Sequence, residues 1–168
     1  MRTLSKKSLQ HVVCTNVLAV TALLALPLSA YADCDPNAVD PRYTVNGGEV
    51  YDTKTNLTWQ RCSVGQTWSQ GACSGTVQGL SWEQAKKKAV GGWRLPTKSE
   101  LLSLAERSCG APKADKTIFP NMADLYPMYW SSDADETKLA WLVGMDNGGT
   151  FNGIRTSANA VRLVKAGK

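Results

Sequence analysis

Gly92-Trp93-Arg94-Leu95-Pro96-Thr97-Lys98-Ser99-Glu100-Leu101-Leu102-Ser103-Leu104 is the stretch that settles how this chain is read. Thr97 and Glu100 stand three apart in the order of a capping box. In that motif the hydroxyl accepts a backbone N–H of the first helical turn, and the N3 side chain reaches back to the cap's own N–H. A helix is therefore expected from residue 98, with Leu101, Leu102, Leu104 and Ala105 available for burial. Pro96 holds Leu95 in extended backbone, which makes Trp93-Arg94-Leu95-Pro96 a link. Upstream, Ser81-Trp82-Glu83-Gln84 repeats the box. The helix it opens is expected to run to about residue 90 and stop at Gly91-Gly92. Trp82, Ala85 and Ala89 share one of its faces, and Lys86, Lys87 and Lys88 spread around the other.

On both sides of this helical pair the pattern turns to β. Residues 49–52 and 57–61 are short β-prone pieces joined by the turn Asp52-Thr53-Lys54-Thr55-Asn56. Residues 33–46 read as an irregular lead-in, and residues 65–79 as a Gly/Ser/Thr/Gln loop. After a loop with Pro112, Pro120 and Pro127, strands are expected at 129–132, 139–145, 150–155 and 160–165. Asp146-Asn147-Gly148-Gly149 is a strong hairpin turn between the second and third of these. Trp141-Leu142-Val143 is apolar on both faces, so its strand should be central. Strands, two helices, then an antiparallel β-meander make an α+β domain.

The N-terminus carries Arg2, Lys6 and Lys7, an apolar run over residues 17–28, and Ala30-Tyr31-Ala32. This is the order of a secretory signal peptide, with cleavage expected after Ala32. The apolar run is too short for a spanning helix, so no membrane span is expected after cleavage. Asp33 before Cys34 argues against a lipid-acceptor cysteine. The full chain has 168 residues with 19 basic and 14 acidic side chains. Residues 1–32 contain three of the basic residues, no acidic one and the only histidine, His11. The remaining 33–168 is 136 residues with net charge +2, enough for one domain with a modest core. Such a charge gives no reason to expect nucleic acid as a partner.

Cys34, Cys62, Cys73 and Cys109 remain after cleavage, an even set that reads as two disulfides with three possible pairings. Cys62–Cys73, closing a short loop, and Cys34–Cys109, tying the N-terminal segment to the body, are preferred. A zinc site is the weaker reading, because there is no C-x-x-C pair and no histidine beyond His11.

The same lack of histidine removes Ser-His and Cys-His nucleophile pairs. The mature chain has no Ser-x-x-Lys dyad, G-x-S-x-G, phosphate loop or dinucleotide fingerprint, so neither enzyme activity nor a cofactor is expected. Asp133, Asp135 and Glu136 cluster in one loop. Neighbours on one loop rarely flank a sugar as paired catalytic carboxylates, and the calcium-loop spacing is missing. A solvated acidic loop is the favoured reading. All six tryptophans fall after residue 32, and most sit where they should pack. Trp68 is the exception, in a polar loop, with packing ranked ahead of ligand contact. Lys86 to Lys88 with Arg155 and Arg162 could face an anionic polymer, although three adjacent helical residues do not form one patch.

Asp52-Thr53-Lys54-Thr55-Asn56-Leu57-Thr58-Trp59-Gln60-Arg61-Cys62, the Trp-Arg-Leu-Pro-Thr block, Phe119-Pro120-Asn121, Tyr129-Trp130-Ser131-Ser132 and Val161-Arg162-Leu163-Val164 occur together. In this combination the sequence resembles the bacterial Lcl C-terminal domain family, typified by the C-terminal domain of the Legionella collagen-like adhesin. The resemblance runs from about residue 52 to 165. It implies a C-type-lectin-like α+β fold and, through that adhesin's binding of sulfated glycosaminoglycans as a trimer, a glycan or sulfated polysaccharide partner. An oligomer is possible on the same ground. The Glu-Pro-Asn and Trp-Asn-Asp signatures of calcium-dependent lectins are missing. The shared motifs read as scaffold, with Arg94 in a hydrogen-bonded link and Trp130 packed.

The expectation is an exported periplasmic or extracellular binding module for a glycan or anionic polysaccharide. The alternative is an envelope protein as partner, as for an inhibitor, immunity protein or assembly factor. Binding scaffolds place function on polar loops, which nominates Asp146, Asn147, Asn152 and Arg155 as ligand-binding candidates.

Overall fold

Strict alternation builds the first sheet. In the computed structural model, which describes residues 40–105, 114–122 and 128–167, β1 (Tyr43–Asn46), β2 (Glu49–Asp52) and β3 (Leu57–Gln60) form an antiparallel meander. β9 (Val164–Ala166) adds against β3, giving the order β1-β2-β3-β9. Directly opposed residues share a face. Val50, Trp59 and Val164 lie in one such row and all three are buried. The opposite face carries the rows Asn46–Glu49–Gln60 and Thr44–Tyr51–Thr58–Lys165. A polar outer face on a small sheet is the ordinary one-sided antiparallel pattern. The lead-in expected to residue 46 is therefore shorter. Gly47, at φ 56°, lets the chain fold straight back, and residues 43–46 pair as β1.

The stretch 65–79 is also more ordered than a loop. β4 (Gln66–Ser69) and β5 (Ala72–Gly75) form a hairpin whose two connecting residues, Gln70 and Gly71, have φ of 50° and 83°. Two positive φ values in a row give the turn a twist that matches the flanking strands. A Gln-Gly pair signals this less plainly than Asn-Gly, which is why a loop was expected. Cys73 of β5 is joined to Cys62, with Cα atoms 5.5 Å apart, as expected from the sequence. The other expected bridge, Cys34–Cys109, lies outside the described residues, as does the proposed signal peptide.

Both capping boxes form. α1 (Trp82–Lys86) starts at Ser81, whose Oγ accepts from Gln84 N at 3.4 Å, while Gln84 Oε1 accepts from Ser81 N at 3.0 Å. α1 ends a turn earlier than expected. Only Trp82 and Ala85 are buried, whereas Ala89 and Val90 are exposed, so a further turn would bury nothing. α2 (Lys98–Leu104) buries Leu101 and Leu104. Arg94 in the preceding link donates two 2.7 Å hydrogen bonds to the Glu100 carboxylate.

Burial alone would raise the Glu100 carboxyl. Hydrogen bonds from Arg94 and the Thr97 N–H, with the Arg94 charge, outweigh it and hold the group below its ordinary value. A carboxylate depressed on folding adds stability above its unfolded pKa, and that contribution disappears as pH falls through the folded value. The Arg94 side chain is 43% exposed, which limits the pair to about 1 kcal/mol. Glu100→Gln keeps the capping geometry, so it should cost about 1 kcal/mol at neutral pH. Urea midpoints should show that difference shrinking to nothing below the usual carboxylate range.

β6 (Met128–Ala134), β7 (Leu139–Gly144) and β8 (Thr150–Ile154) form the second meander with β7 central, as the Trp141-Leu142-Val143 pattern predicts. The last strand does not complete this sheet. Val161 and Leu163 pack around Trp130 with Trp82, Leu95 and Leu142, while Val164 packs with Val50, Trp59 and Phe119. The closing segment thus runs from one core to the other and ends as β9 beside β3. Trp130 is fully buried with its indole N–H on Leu80 O at 2.7 Å. Strands, two helices and a meander give an α+β order dominated by β-structure. No described helix is long and apolar enough to cross a membrane.

Candidate ligand groove

The polar face of the first sheet does not simply end in solvent. At its Asn46–Glu49–Gln60 end the β4–β5 hairpin rises as a wall carrying Trp68, and the link before α2 brings up Trp93. Between them lies a groove of about 600 Å³, with Gln60 and Ser63 contributing to its lining and Gln66 and Thr67 on the hairpin side. Trp68 and Trp93 are both half-buried. A second depression of about 260 Å³, between Thr44, Tyr51 and Thr58, shares Asn46 and Glu49 with the first. The two make one strip across the sheet.

Each tryptophan is backed by a cation that is itself engaged. The Arg61 guanidinium carbon lies 3.9 Å from the centroid of Trp68. Arg61 also donates to Ile118 O at 2.8 Å, Thr117 O at 3.0 Å and Gly47 O at 3.2 Å. Burial lowers the pKa of this guanidinium, and the nearby Arg162 lowers it further. The Lys165 ammonium lies 4.5 Å from the Trp93 centroid and 2.9 Å from Glu49 Oε2. Among the described residues, Glu49 is the only carboxylate bordering either depression, and it is ion-paired.

Beneath the groove, Arg162 holds the floor. Its guanidinium is fully buried and donates to Gln60 O at 2.7 Å, to Arg61 O, and to Ser63 Oγ at 3.0 Å. Ser63 in turn shares a 2.8 Å hydrogen bond with Tyr129 OH. Three separated sequence blocks are thereby tied to one point. Arg162 was a candidate for facing an anionic polymer, but its burial rules that out.

Gly48 is what lets the hairpin close on the sheet. A Cβ at this position would sit 2.8 Å from Trp68 Cβ. Gly48→Val is accordingly expected to cost about 1–3 kcal/mol through overpacking. It should also push Trp68 outward, which a red-shifted tryptophan emission would report.

The four candidates taken from the loops lie elsewhere. Asn147 Oδ1 accepts from Gly149 N at 2.7 Å, so this side chain shapes its own hairpin turn. Asp146 is half-buried beside it, and Asn152 is exposed on β8. Arg155 is not free for a ligand. Its guanidinium lies 4.6 Å from the Trp82 centroid, its Nε donates to Leu139 O at 3.1 Å, and its NH2 donates to Asp135 O. None of the four lines either depression. In the acidic loop, Asp133 Oδ2 accepts the Lys98 N–H at 2.6 Å, and Asp135 Oδ1 accepts from the Thr137 N–H and hydroxyl. The Thr137 hydroxyl lowers the Asp135 pKa most. Lys86 is paired with Glu83 at 3.0 Å, while Lys87 and Lys88 are exposed.

Trp68 was recognised in the sequence as the odd tryptophan. Trp93, Asn46, Glu49 and Gln60 were not, although the alternating polar positions of residues 44–60 carried the signal.

None of the curated proteins matches this chain. Among solved structures, the crystal structure of botrocetin is similar at 12% identity and a TM-score of 0.37, over 64% of this chain and 99% of that one. The model of the Lcl C-terminal domain matches residues 48–165, which takes in the first sheet from its second strand, both tryptophan walls and the last strand, and the chain belongs to that family.

Proposed function

We propose that this chain is an exported, adhesin-like module that binds a glycan chain in the Trp68–Trp93 groove and performs no chemistry on it. The observation that carries the reading is a pair of half-exposed indoles lining one groove together with amide side chains and Thr67. Flat aromatic faces suit the C–H faces of pyranose rings, and convergent amides and hydroxyls suit their hydroxyl groups. The two linked depressions suit consecutive sugars better than a single one. Glycoside hydrolysis ordinarily needs two carboxylates across the scissile bond, and among the described residues the strip has one, already paired. The Cys62–Cys73 bridge fits an oxidising compartment, periplasmic or extracellular, reached by cleavage after Ala32. The C-type-lectin-like fold implied by the family resemblance is part of this reading.

A glycan-array screen of the oxidised protein, with Trp68→Ala alongside, tests it. Reproducible signals that vanish in the variant are expected. A blank array, or signals unchanged by the substitution, contradicts the proposal.

One observation favours a protein partner instead. β8 is an edge strand and carries Phe151 and Ile154 at 42% and 57% exposure. Open strand edges accept a further strand from a partner. A pull-down from envelope extract that recovers one compact partner, unaffected by added glycans, would select this reading.

A further inference from the structure

From the charges around the groove, we infer that its ligand is an uncharged pyranose chain and not a sulfated or uronic one. The inference rests on the glycan reading above and sharpens it. Among the described residues, no lysine or arginine lines either depression. Arg61 and Lys165, the cations that approach the groove among the described residues, are both engaged. Arg61 lies against Trp68 with its donors on three backbone carbonyls. Lys165 is held by Glu49 and lies against Trp93. Arg162, directly under the floor, is fully buried.

A sulfate entering the strip would therefore meet the Glu49 carboxylate and would have to displace it from Lys165. Recognition of sulfate and carboxylate normally relies on charge-assisted, often bidentate arginine contacts with donors to spare. The groove offers amides and a hydroxyl instead: Asn46, Gln60 and Gln66, with Thr67. Such groups pair with neutral hydroxyl or N-acetyl groups. Stacking on Trp68 and Trp93 adds an attraction that salt does not screen, whereas surface charge attraction fades beyond a Debye length of about 8 Å at physiological ionic strength.

The test is calorimetric titration of the oxidised protein with cellohexaose, chitohexaose and a heparin hexasaccharide, each at low and high sodium chloride. At least one neutral hexasaccharide should bind, with affinity changing less than about twofold between the two salt conditions. Preference for the heparin fragment, weakened about tenfold or more by salt and lost in Trp68→Ala, would overturn the inference while leaving the glycan reading in place. Failure of all three sugars to bind at millimolar concentration would overturn both.

Discussion

Arg162→Met should destabilise the domain by about 3 kcal/mol, read as a lower urea midpoint with an unchanged slope. Three acceptors receive this guanidinium's hydrogen bonds: Gln60 O, Arg61 O and Ser63 Oγ, the last also bonded to Tyr129 OH. Each acceptor left unsatisfied costs about 1–3 kcal/mol. Against that, Arg162 is a charge buried without a carboxylate partner among the described residues, and its own desolvation depresses its pKa. Removing it returns part of that desolvation cost, which is why the expected loss lies near the bottom of the summed range. Methionine fills much of the volume, so the loss reports hydrogen bonding more than a cavity. Arg162→Lys should recover only part of it, because one ammonium cannot reproduce a planar fork across three acceptors. A change below about 0.5 kcal/mol for the methionine variant would show that surrounding groups or water take over the carbonyls.

Trp68→Ala carries the second large effect, on binding. Losing a central aromatic contact of this kind typically costs about 2 kcal/mol or more, so affinity for the bound sugar chain should fall about 30-fold or further. Stability should change much less. Trp68 is half-exposed, and its stacking with Arg61 is worth about 1 kcal/mol. Arg61 keeps its three carbonyl partners without the indole, so the floor is expected to stay in place. Calorimetric titration beside a urea curve separates the two outcomes. Equal losses of affinity and stability would mean that Trp68 is a structural prop for the hairpin and not a contact surface.

The scaffold was largely legible in the sequence because its signals are local. Ser81/Gln84 and Thr97/Glu100 announce two helix starts by spacing alone, and both boxes form as read. Asp146-Asn147-Gly148-Gly149 announces its hairpin, and Trp141-Leu142-Val143 a central strand, in the same way. What failed depended on distant partners. Residues 66–75 look like loop because their polar composition says nothing of the bridge to Cys62 or of Trp68 docking over Gly48. The final strand was placed with its sequence neighbours, yet Val164 finds its burial beside Trp59, more than a hundred residues earlier.

The site was harder to read for the same reason. Polar hairpin turns such as Asp146–Asn147 look functional in one dimension, and here Asn147 serves the turn itself. Arg155 resembles an exposed anion contact until Trp82 and two carbonyls are seen to occupy it. The groove draws on three chain segments, around residues 46–49, 60–68 and 93, and no single motif joins them. Its one sequence trace is the alternation Thr44, Asn46, then Glu49, Tyr51, then Thr58, Gln60. Each of these is polar or aromatic where a two-sided core strand would be aliphatic.

The most direct test of the groove as the binding surface is a titration of the isotope-labelled, oxidised protein with a neutral hexasaccharide, followed through the six indole N–H resonances and the backbone amides. The expected result is that the Trp68 and Trp93 indoles and the amides of Asn46, Glu49 and Gln60 shift together and saturate, while those of Asn147, Asn152 and Arg155 stay still. Shifts confined to the β7–β8 turn, with both indoles unmoved, would contradict it and return the site to the loop where the sequence first suggested it.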